Sequence, residues 1–243
     1  MTLPGASLDQ ALVAAIHAER RAIPGFVKRA GETLGKPPFE HKFLEGCRRS
    51  LQALVGGAAD GGVLQVCSSR HDEGRSSVAA GMALALARTY GERVAVLDLD
   101  FTGNALTRLF SVSLYPGLAD WLEGGERLRV VIGGSNRLLY LLPAGQHYRD
   151  PALLYSEVLK RKVVETCVRN FPWVVMDLPP LLIEPAGAQL IPLGRWRILV
   201  GRYRETILQD LEETVEMFQH QGTTGFVLTG DSSRVPSGIR RLI

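Results

Sequence analysis

A phosphate-binding pattern stands between an apolar run and the start of a helix at residues 63–77, which read VLQVCSSRHDEGRSS. Backbone N–H groups at the N-terminus of a helix bind phosphate oxygens, and glycines let the chain approach them closely. In the pattern G-x-x-x-x-G-K-[ST], Ser69 takes the first glycine position, Gly74 the second, Arg75 the lysine and Ser76 the magnesium-binding hydroxyl. Gly74 and Ser76 fit this pattern, whereas Ser69 and Arg75 depart from it. An ordinary strand-to-helix turn is therefore the alternative interpretation.

Three carboxylates stand at the ends of apolar runs further along the chain. Asp98 and Asp100 close the run VAVLDLD at residues 94–100, and Asp177 lies in the run WVVMDLPP at residues 173–180. In an open parallel sheet, ligands bind at the carboxyl ends of the strands. A single aspartate at a strand end often caps a helix. Three of them behind a phosphate-like loop predict a site for a metal ion and a nucleotide phosphate.

The elements that would position these residues alternate between short apolar runs and helical segments. This alternation is typical of βαβ crossovers and a mainly parallel sheet, so the sequence predicts a single doubly wound α/β domain. Its central parallel strands are predicted at residues 62–67, 94–99 and 173–178. The other predicted strands are residues 138–142, 195–201 and 225–229. The predicted helices are residues 40–55, 76–90, 104–110, 117–123, 151–170 and 205–221.

Composition and the positions of Gly- and Pro-rich segments predict the organisation of the chain. Residues 1–38 are expected to form a helical appendage and linker with a helix at residues 7–22, residues 39–230 the domain, and residues 231–243 a short tail. The net charge of +3 is too small to make nucleic acid the expected partner. The three cysteines lie far apart, which is typical of a reducing compartment. No apolar run reaches the ~20 residues of a membrane span, so we expect a cytoplasmic chain without direct membrane insertion.

A series of short motifs gives the sequence a specific resemblance. In chain order they are CSSRHDEGRS (67–76), VLDLD (96–100), PGLADWLEG (116–124), LLPAG (141–145), DPALL (150–154) and MDLPP (176–180). With these motifs the chain resembles the bacterial tyrosine kinases of capsule and exopolysaccharide export, a branch of the MinD/ParA-like P-loop ATPases. The resemblance runs from about residue 40 to residue 230. Before the loop, EGCRRSL at residues 45–51 resembles the E-x-x-R-x-x-R assembly helix of these kinases, with Leu51 in place of the final arginine.

The resemblance implies a site for ATP or ADP with Mg²⁺. It implies that Ser76, Asp98 and Asp177 hold the metal ion. It also implies that Asp98 and Asp100 take part in catalysis together with Arg75, which would face the phosphates. The implied nucleotide-binding residues are Ser69, Arg70, Glu73, Gly74, Arg75, Ser76 and Ser77.

The resemblance also implies a partner. In this setting a membrane polysaccharide co-polymerase or export protein would recruit the chain to the inner face of the cell membrane. Residues 1–56 are the candidates for that contact or for self-association.

Several residues depart from the kinase pattern. Arg75 stands where the kinases have lysine, so a broad planar guanidinium replaces a compact ammonium group. His71 and Asp72 stand where the kinases have Pro and Gly, and Asp72 adds an anion to a loop whose amides must approach phosphates. Thr229 ends the strand predicted beside the base, where the kinases usually carry Asn. None of the six tyrosines lies in residues 231–243, so we expect this chain to lack the C-terminal tyrosine cluster of these kinases.

These departures favour a degenerate protein, a weak or inactive ATPase or kinase that acts as a regulator or scaffold of the export machinery. The intact acidic motifs favour an alternative, an active Mg-ATP-dependent ATPase or protein-tyrosine kinase. A second alternative is a ParA- or MinD-like positioning ATPase, which the segment DLDFTGNA at residues 98–105 also resembles.

Overall fold

The computed structural model describes residues 8–9, 34–35, 37, 39–57, 60–124, 128–146, 150–218 and 222–230. The tail predicted at residues 231–243 and most of the helix predicted at residues 7–22 lie outside the described residues. One sheet contains β1 (Gly62–Ser68), β2 (Val94–Asp98), β3 (Val131–Gly133), β4 (Leu139–Leu142), β5 (Trp173–Pro180), β6 (Trp196–Arg202) and β7 (Thr223–Thr229). Its order is β3-β4-β2-β5-β1-β6-β7. Only β3 and β4 pair antiparallel among the described strands.

The helices are α1 (His41–Val55), α2 (Arg75–Tyr90), α3 (Ala105–Leu109), α4 (Leu118–Leu122), α5 (Pro151–Lys160), α6 (Val163–Asn170) and α7 (Leu208–Glu216). Short 3₁₀ segments lie at Ser135–Arg137 and Pro185–Leu193. The prediction of a doubly wound, mainly parallel α/β sheet is confirmed. Within the described ranges, no helix has the length and apolar character needed to cross a membrane.

The prediction of one long helix at residues 151–170 was wrong. Two helices, α5 and α6, occupy this range because Lys162 adopts a left-handed backbone with a φ of 52°. A left-handed residue cannot continue a right-handed helix. The start was predicted correctly, since the Asp150 side chain accepts a hydrogen bond from the Ala152 backbone N at 2.9 Å. The sequence also did not predict β3, and α7 begins at Leu208 instead of residue 205.

Side chains of β1 alternate between two apolar layers. Val63 and Cys67 face the layer that α5 and α6 cover, whereas Leu64 and Val66 face the layer beneath α1 and α2. Because helices cover both faces, the strand is apolar at nearly every position instead of alternating with polar residues.

Helix α1 packs tightly on α2. A Cβ atom at Gly81 would lie only 2.6 Å from Cys47 Sγ, so a glycine is needed for this approach. Leu51 is fully buried in the same interface. Glu45 and Arg48 occupy the first two positions of the motif that resembles the assembly helix. They form a salt bridge of 2.6 Å on the outer side of α1. The third position of that motif is therefore a core residue in this chain.

Candidate phosphate and metal site

Three adjacent strands bring the phosphate loop and the predicted carboxylates to one edge of the sheet. β5 lies between β1 and β2, and Asp98 on β2 is the register partner of Asp177 on β5. The loop leaves β1 after Ser68 and enters α2 at Arg75. Asp98, Asp177 and the nearby Asp100 are all buried. Residues from three separate motifs thus meet at a single cluster.

The Arg75 side chain lies inside this cluster, with only 6% of it exposed. Its Nη2 donates to Asp100 Oδ2 at 2.5 Å, and its Nε donates to Asp177 Oδ1 at 3.0 Å. Its Nη1 donates to Ser68 Oγ at 3.0 Å. One planar guanidinium therefore bridges two buried carboxylates, which the compact ammonium of a lysine is not shaped to do. The resemblance implies that Arg75 faces the phosphates, but in the structure its guanidinium is bound to Asp100 and Asp177.

Thr107 holds Asp98 from the other side. The Thr107 backbone N and Oγ1 both donate to Asp98 Oδ2, at 2.9 and 2.5 Å. The same hydroxyl oxygen accepts a hydrogen bond from the Ala144 backbone N at 3.1 Å, which connects the cluster to the LLPAG motif. Sequence reasoning missed Thr107, because its position nine residues after Asp98 belongs to no phosphate or metal motif.

Burial raises the pKa of Asp98 to about 8, and the charge of Asp177 acts in the same direction, while the hydrogen bonds from Thr107 oppose it. Burial likewise raises the pKa of Asp177 to about 6, against the opposing effects of Arg75 and of a hydrogen bond from Ser76. Burial lowers the pKa of Arg75, but the charges of Asp177 and Asp100 outweigh it and the pKa is raised. At neutral pH the cluster therefore keeps its guanidinium charge, and Asp98 favours its protonated form.

The cluster contains oxygen atoms that suit a magnesium ion. Asp98 Oδ1 and Asp177 Oδ2 are buried without a hydrogen-bond partner, and Ser76 is hydrogen-bonded to Asp177. Carboxylate and hydroxyl oxygens are typical Mg²⁺ ligands, so these three residues would hold the ion that the resemblance implies. Arg75, however, already supplies a cation there. Within the described part of the chain, no group of three His, Cys, Asp or Glu side chains is arranged to hold a metal ion. The arrangement does not fit Mg²⁺ while Arg75 stays in place.

The first half of the phosphate loop contacts other parts of the protein. Ser69 Oγ lies 2.8 Å from Thr214 Oγ1 on α7, and Arg70 forms a salt bridge of 2.5 Å with Asp210. Glu73 is buried. Ser69, Arg70 and Glu73, all predicted to bind nucleotide, therefore have partners within the chain.

The second half of the loop turns into α2. Gly74 adopts a φ of 87°, a conformation that favours glycine. Asp72 also has a positive φ, 60°, and its side chain is exposed. Ser77 lies half-buried in the first turn of α2. The anion that the sequence places in the loop thus stands at the surface, away from the buried cluster.

Comparison with known proteins finds relatives among bacterial tyrosine kinases. The chain is 26% identical over 184 residues to tyrosine-protein kinase ptk of Acinetobacter johnsonii, a match that covers 74% of this chain and 25% of that kinase. It is 24% identical over 159 residues to tyrosine-protein kinase CpsD of Streptococcus agalactiae, covering 63% of this chain and 69% of CpsD. The chain thus spans about a quarter of the Acinetobacter kinase. No protein-family model matches it.

Solved structures show the same fold. The kinase domain of Escherichia coli tyrosine kinase Etk matches with a TM-score of 0.68 and 20% identity, over 80% of this chain and 76% of that domain. The cell division ATPase MinD of Pyrococcus furiosus matches with a TM-score of 0.54 and 22% identity, over 75% of this chain and 79% of MinD. The homologues of this chain are bacterial tyrosine kinases, and its fold is that of their kinase domain and of MinD-like P-loop ATPases.

Proposed function

We propose that this chain is a tyrosine-kinase-like P-loop protein of capsule or exopolysaccharide synthesis that binds and hydrolyses ATP weakly or not at all. It acts as a regulator or scaffold of the export machinery. The single observation that carries the proposal is the Arg75 guanidinium, bound between Asp100 and Asp177.

The energetics of this contact support a weakened nucleotide site. Breaking a buried ion pair by removing one partner typically costs about 3–5 kcal/mol, because the other charge is left without compensation. A magnesium ion at Asp177 would have to displace the guanidinium and meet part of that cost. Arg75 would also have to leave the cluster to reach a phosphate. The same side chain thus reduces the affinity for the metal ion and is kept away from the nucleotide.

The setting in polysaccharide synthesis comes from the relatives. One of them is a putative tyrosine-protein kinase in the cps region of Klebsiella pneumoniae, 23% identical over 190 residues. By this similarity we infer that the partner is a membrane polysaccharide co-polymerase or export protein. That partner would bring the chain to the inner face of the cell membrane.

A specific observation also favours a second candidate, an active Mg-ATP-dependent ATPase or tyrosine kinase. Asp98 Oδ1 and Asp177 Oδ2 are buried and unpartnered, as they would be in a site that awaits a cation. In this alternative, Asp98 and Asp177 would hold a magnesium ion that neutralises the phosphate charge, and the Arg75 side chain would lie away from them. The two candidates differ in whether the unmodified protein turns over ATP.

Phosphate release from Mg·ATP tests the proposal. The unmodified chain is compared with Asp98→Asn, which removes a carboxylate that an active enzyme of this fold would need. We expect the unmodified chain to release phosphate at, or only slightly above, the rate of Asp98→Asn, and we expect neither protein to show tyrosine phosphorylation. Rapid turnover by the unmodified chain that Asp98→Asn abolishes would contradict the proposal and establish the active enzyme.

A further inference from the structure

The phosphate loop is held by contacts that involve no nucleotide. Glu73 is only 5% exposed, and its Oε2 accepts a hydrogen bond from the Arg70 backbone N at 2.9 Å. Its Oε1 accepts a hydrogen bond from Thr206 Oγ1, and its backbone O accepts one from Thr229 Oγ1 at 2.6 Å. A buried carboxylate is costly unless it is hydrogen-bonded. Both Glu73 oxygens therefore find their partners within the protein.

A second set of contacts reaches the loop from β6 and α7. Arg70 forms a two-pronged salt bridge with Asp210, with Nε to Oδ2 at 2.5 Å and Nη2 to Oδ1 at 2.9 Å. Such forked pairs fix geometry as well as supplying energy. Arg202 Nη1 donates to the Asp72 backbone O at 2.8 Å. The Arg202 backbone N donates to Thr206 Oγ1 at 2.7 Å, so one hydroxyl links β6 to Glu73.

Close packing accompanies these hydrogen bonds. A Cβ atom at Gly74 would lie 3.1 Å from Thr229 Oγ1, so the loop and the end of β7 are already in tight contact. The loop connects β1 to α2, whereas its partners belong to β6, the β6–α7 connection, α7 and β7. These contacts therefore tie the phosphate loop to parts of the chain that are distant in sequence.

We propose that these contacts form a latch, made of Glu73, Arg202, Thr206, Asp210 and Thr229, that holds the phosphate loop in shape without any bound nucleotide. The inference goes beyond the proposed function, because it concerns the shape of the loop and holds whether or not the chain hydrolyses ATP. It also makes the segment from Arg202 to Asp210 the part of the surface through which the loop can be released.

Trypsin cleavage of the nucleotide-free full chain tests the latch. Trypsin cuts after arginine, and the bond between Arg70 and His71 lies in the loop on the exposed surface. Cleavage there requires the loop to open, and its rate follows the population of the open form when closing is fast. Thr206→Val keeps the shape of the side chain but removes the hydroxyl that joins Glu73 to Arg202. Glu73→Gln removes the negative charge of the carboxylate to which the Arg70 backbone N and Thr206 Oγ1 donate.

We expect cleavage after Arg70 to be at least about tenfold faster in Thr206→Val and in Glu73→Gln, since each removes hydrogen bonds to a buried charged group. Thr206→Ser restores the hydroxyl and should behave like the unmodified chain. Thr224→Val makes the same chemical change at an exposed position of β7 outside the latch and should have no effect.

Cleavage after Arg197, which is fully buried near the start of β6, provides the internal reference for unfolding of the whole domain. In the two latch variants, cleavage after Arg70 should rise relative to cleavage after Arg197. Equal cleavage after Arg70 in Thr206→Val and Thr206→Ser would overturn the latch. A rise that is parallel at both sites would also overturn it, because the loop would then open only together with the domain.

Discussion

At the scale of single residues, the raised pKa values of Asp98 and Asp177 make stability depend on pH. Both pKa values, about 8 and about 6, lie above the ordinary value of 3.8, so the folded state binds more protons between these limits. The stability these groups contribute is fully present below about pH 4 and is lost as the pH rises through about 6 for Asp177 and about 8 for Asp98. We expect the free energy of unfolding to fall from pH ~5.5 to pH ~7.5, by up to about 1.4 kcal/mol per pH unit for each proton.

Denaturant titrations at these two pH values measure the effect, and Asp98→Asn is the matched control. The amide cannot titrate, so this variant should lose the largest part of the pH dependence while keeping the fold. A free energy of unfolding that rises over this range, or a slope that Asp98→Asn leaves unchanged, would show that Asp98 is ionised in the folded protein.

Asp72 has a left-handed backbone conformation within the phosphate loop. Its φ of 60° is unfavourable for a residue with a Cβ atom, and its side chain is exposed. Asp72→Gly should therefore raise the free energy of unfolding by about 0.5 kcal/mol, the relief of a left-handed backbone less the added entropy of glycine in the unfolded chain. Urea denaturation checks this. A loss of stability would mean that the Asp72 carboxylate makes a stabilising contact.

The sequence identified the acidic residues of the cluster but not the direction of Arg75. Asp98, Asp100 and Asp177 could be found because strand ends in a parallel sheet share one edge. The direction of the Arg75 side chain is set by its hydrogen bonds to Asp100 and Asp177, which come from other parts of the chain. Residue spacing in the sequence carries no information about these contacts. For the same reason the sequence did not show that Arg70 would pair with Asp210.

At the scale of elements, the contact between α1 and α2 depends on glycine. A Cβ atom at Gly81 would lie 2.6 Å from Cys47 Sγ and 2.9 Å from Phe43 Cε1. Gly81→Ala should therefore lower the free energy of unfolding by about 1–3 kcal/mol, as overpacking does in other cores. Gly46→Ala on α1 is the matched control, because its Cβ meets no atom within 4 Å.

Gly46→Ala should raise the free energy of unfolding by about 0.5–1 kcal/mol, the difference in helix propensity between alanine and glycine. Urea denaturation of both variants gives the comparison. If Gly81→Ala were as stable as Gly46→Ala, α1 would not be packed against α2 as the structure has it.

Most elements were predictable because apolar runs and helical spacing repeat clearly along residues 40–229. The break between α5 and α6 was not, because Lys162 resembles any other solvated helix residue and only its left-handed backbone ends α5. β3 was missed because its three residues are too few to show a pattern. Its pairing with β4, not its own sequence, makes it a strand.

At the scale of the whole molecule, a few N-terminal residues pack against the sheet and its helices. Leu8 is only 3% exposed within the apolar layer of α5 and α6. Asp9 forms a salt bridge of 2.8 Å with Arg169 on α6. A Cβ atom at Gly133 would lie 2.5 Å from Leu34 Cβ, so Leu34 packs directly on β3. Leu8 and Leu34 therefore contribute buried surface to the fold, while residues 1–38 stay part of the predicted association segment.

Deletion of residues 1–38 tests both contributions. Loss of two buried leucines should lower the free energy of unfolding by about 3–5 kcal/mol while the sheet stays folded. We also expect weaker self-association, measured by sedimentation, and weaker binding of the membrane protein proposed above as its partner, measured by pull-down. Unchanged assembly would remove residues 1–38 as the association segment, and unchanged stability would show that Leu8 and Leu34 add nothing to the core.

The proposed function requires that Arg75, bound to Asp100 and Asp177, keeps Mg·ATP out of the site. Calorimetric titration of Mg·ATP into the unmodified chain, Arg75→Lys and Asp72→Gly measures this exclusion. A lysine cannot bridge both carboxylates, so Arg75→Lys should bind at least about tenfold more tightly than the unmodified chain. Asp72→Gly should bind as weakly as the unmodified chain, because its carboxylate is exposed. Tight Mg·ATP binding by the unmodified chain, or no gain in Arg75→Lys, would contradict the claim.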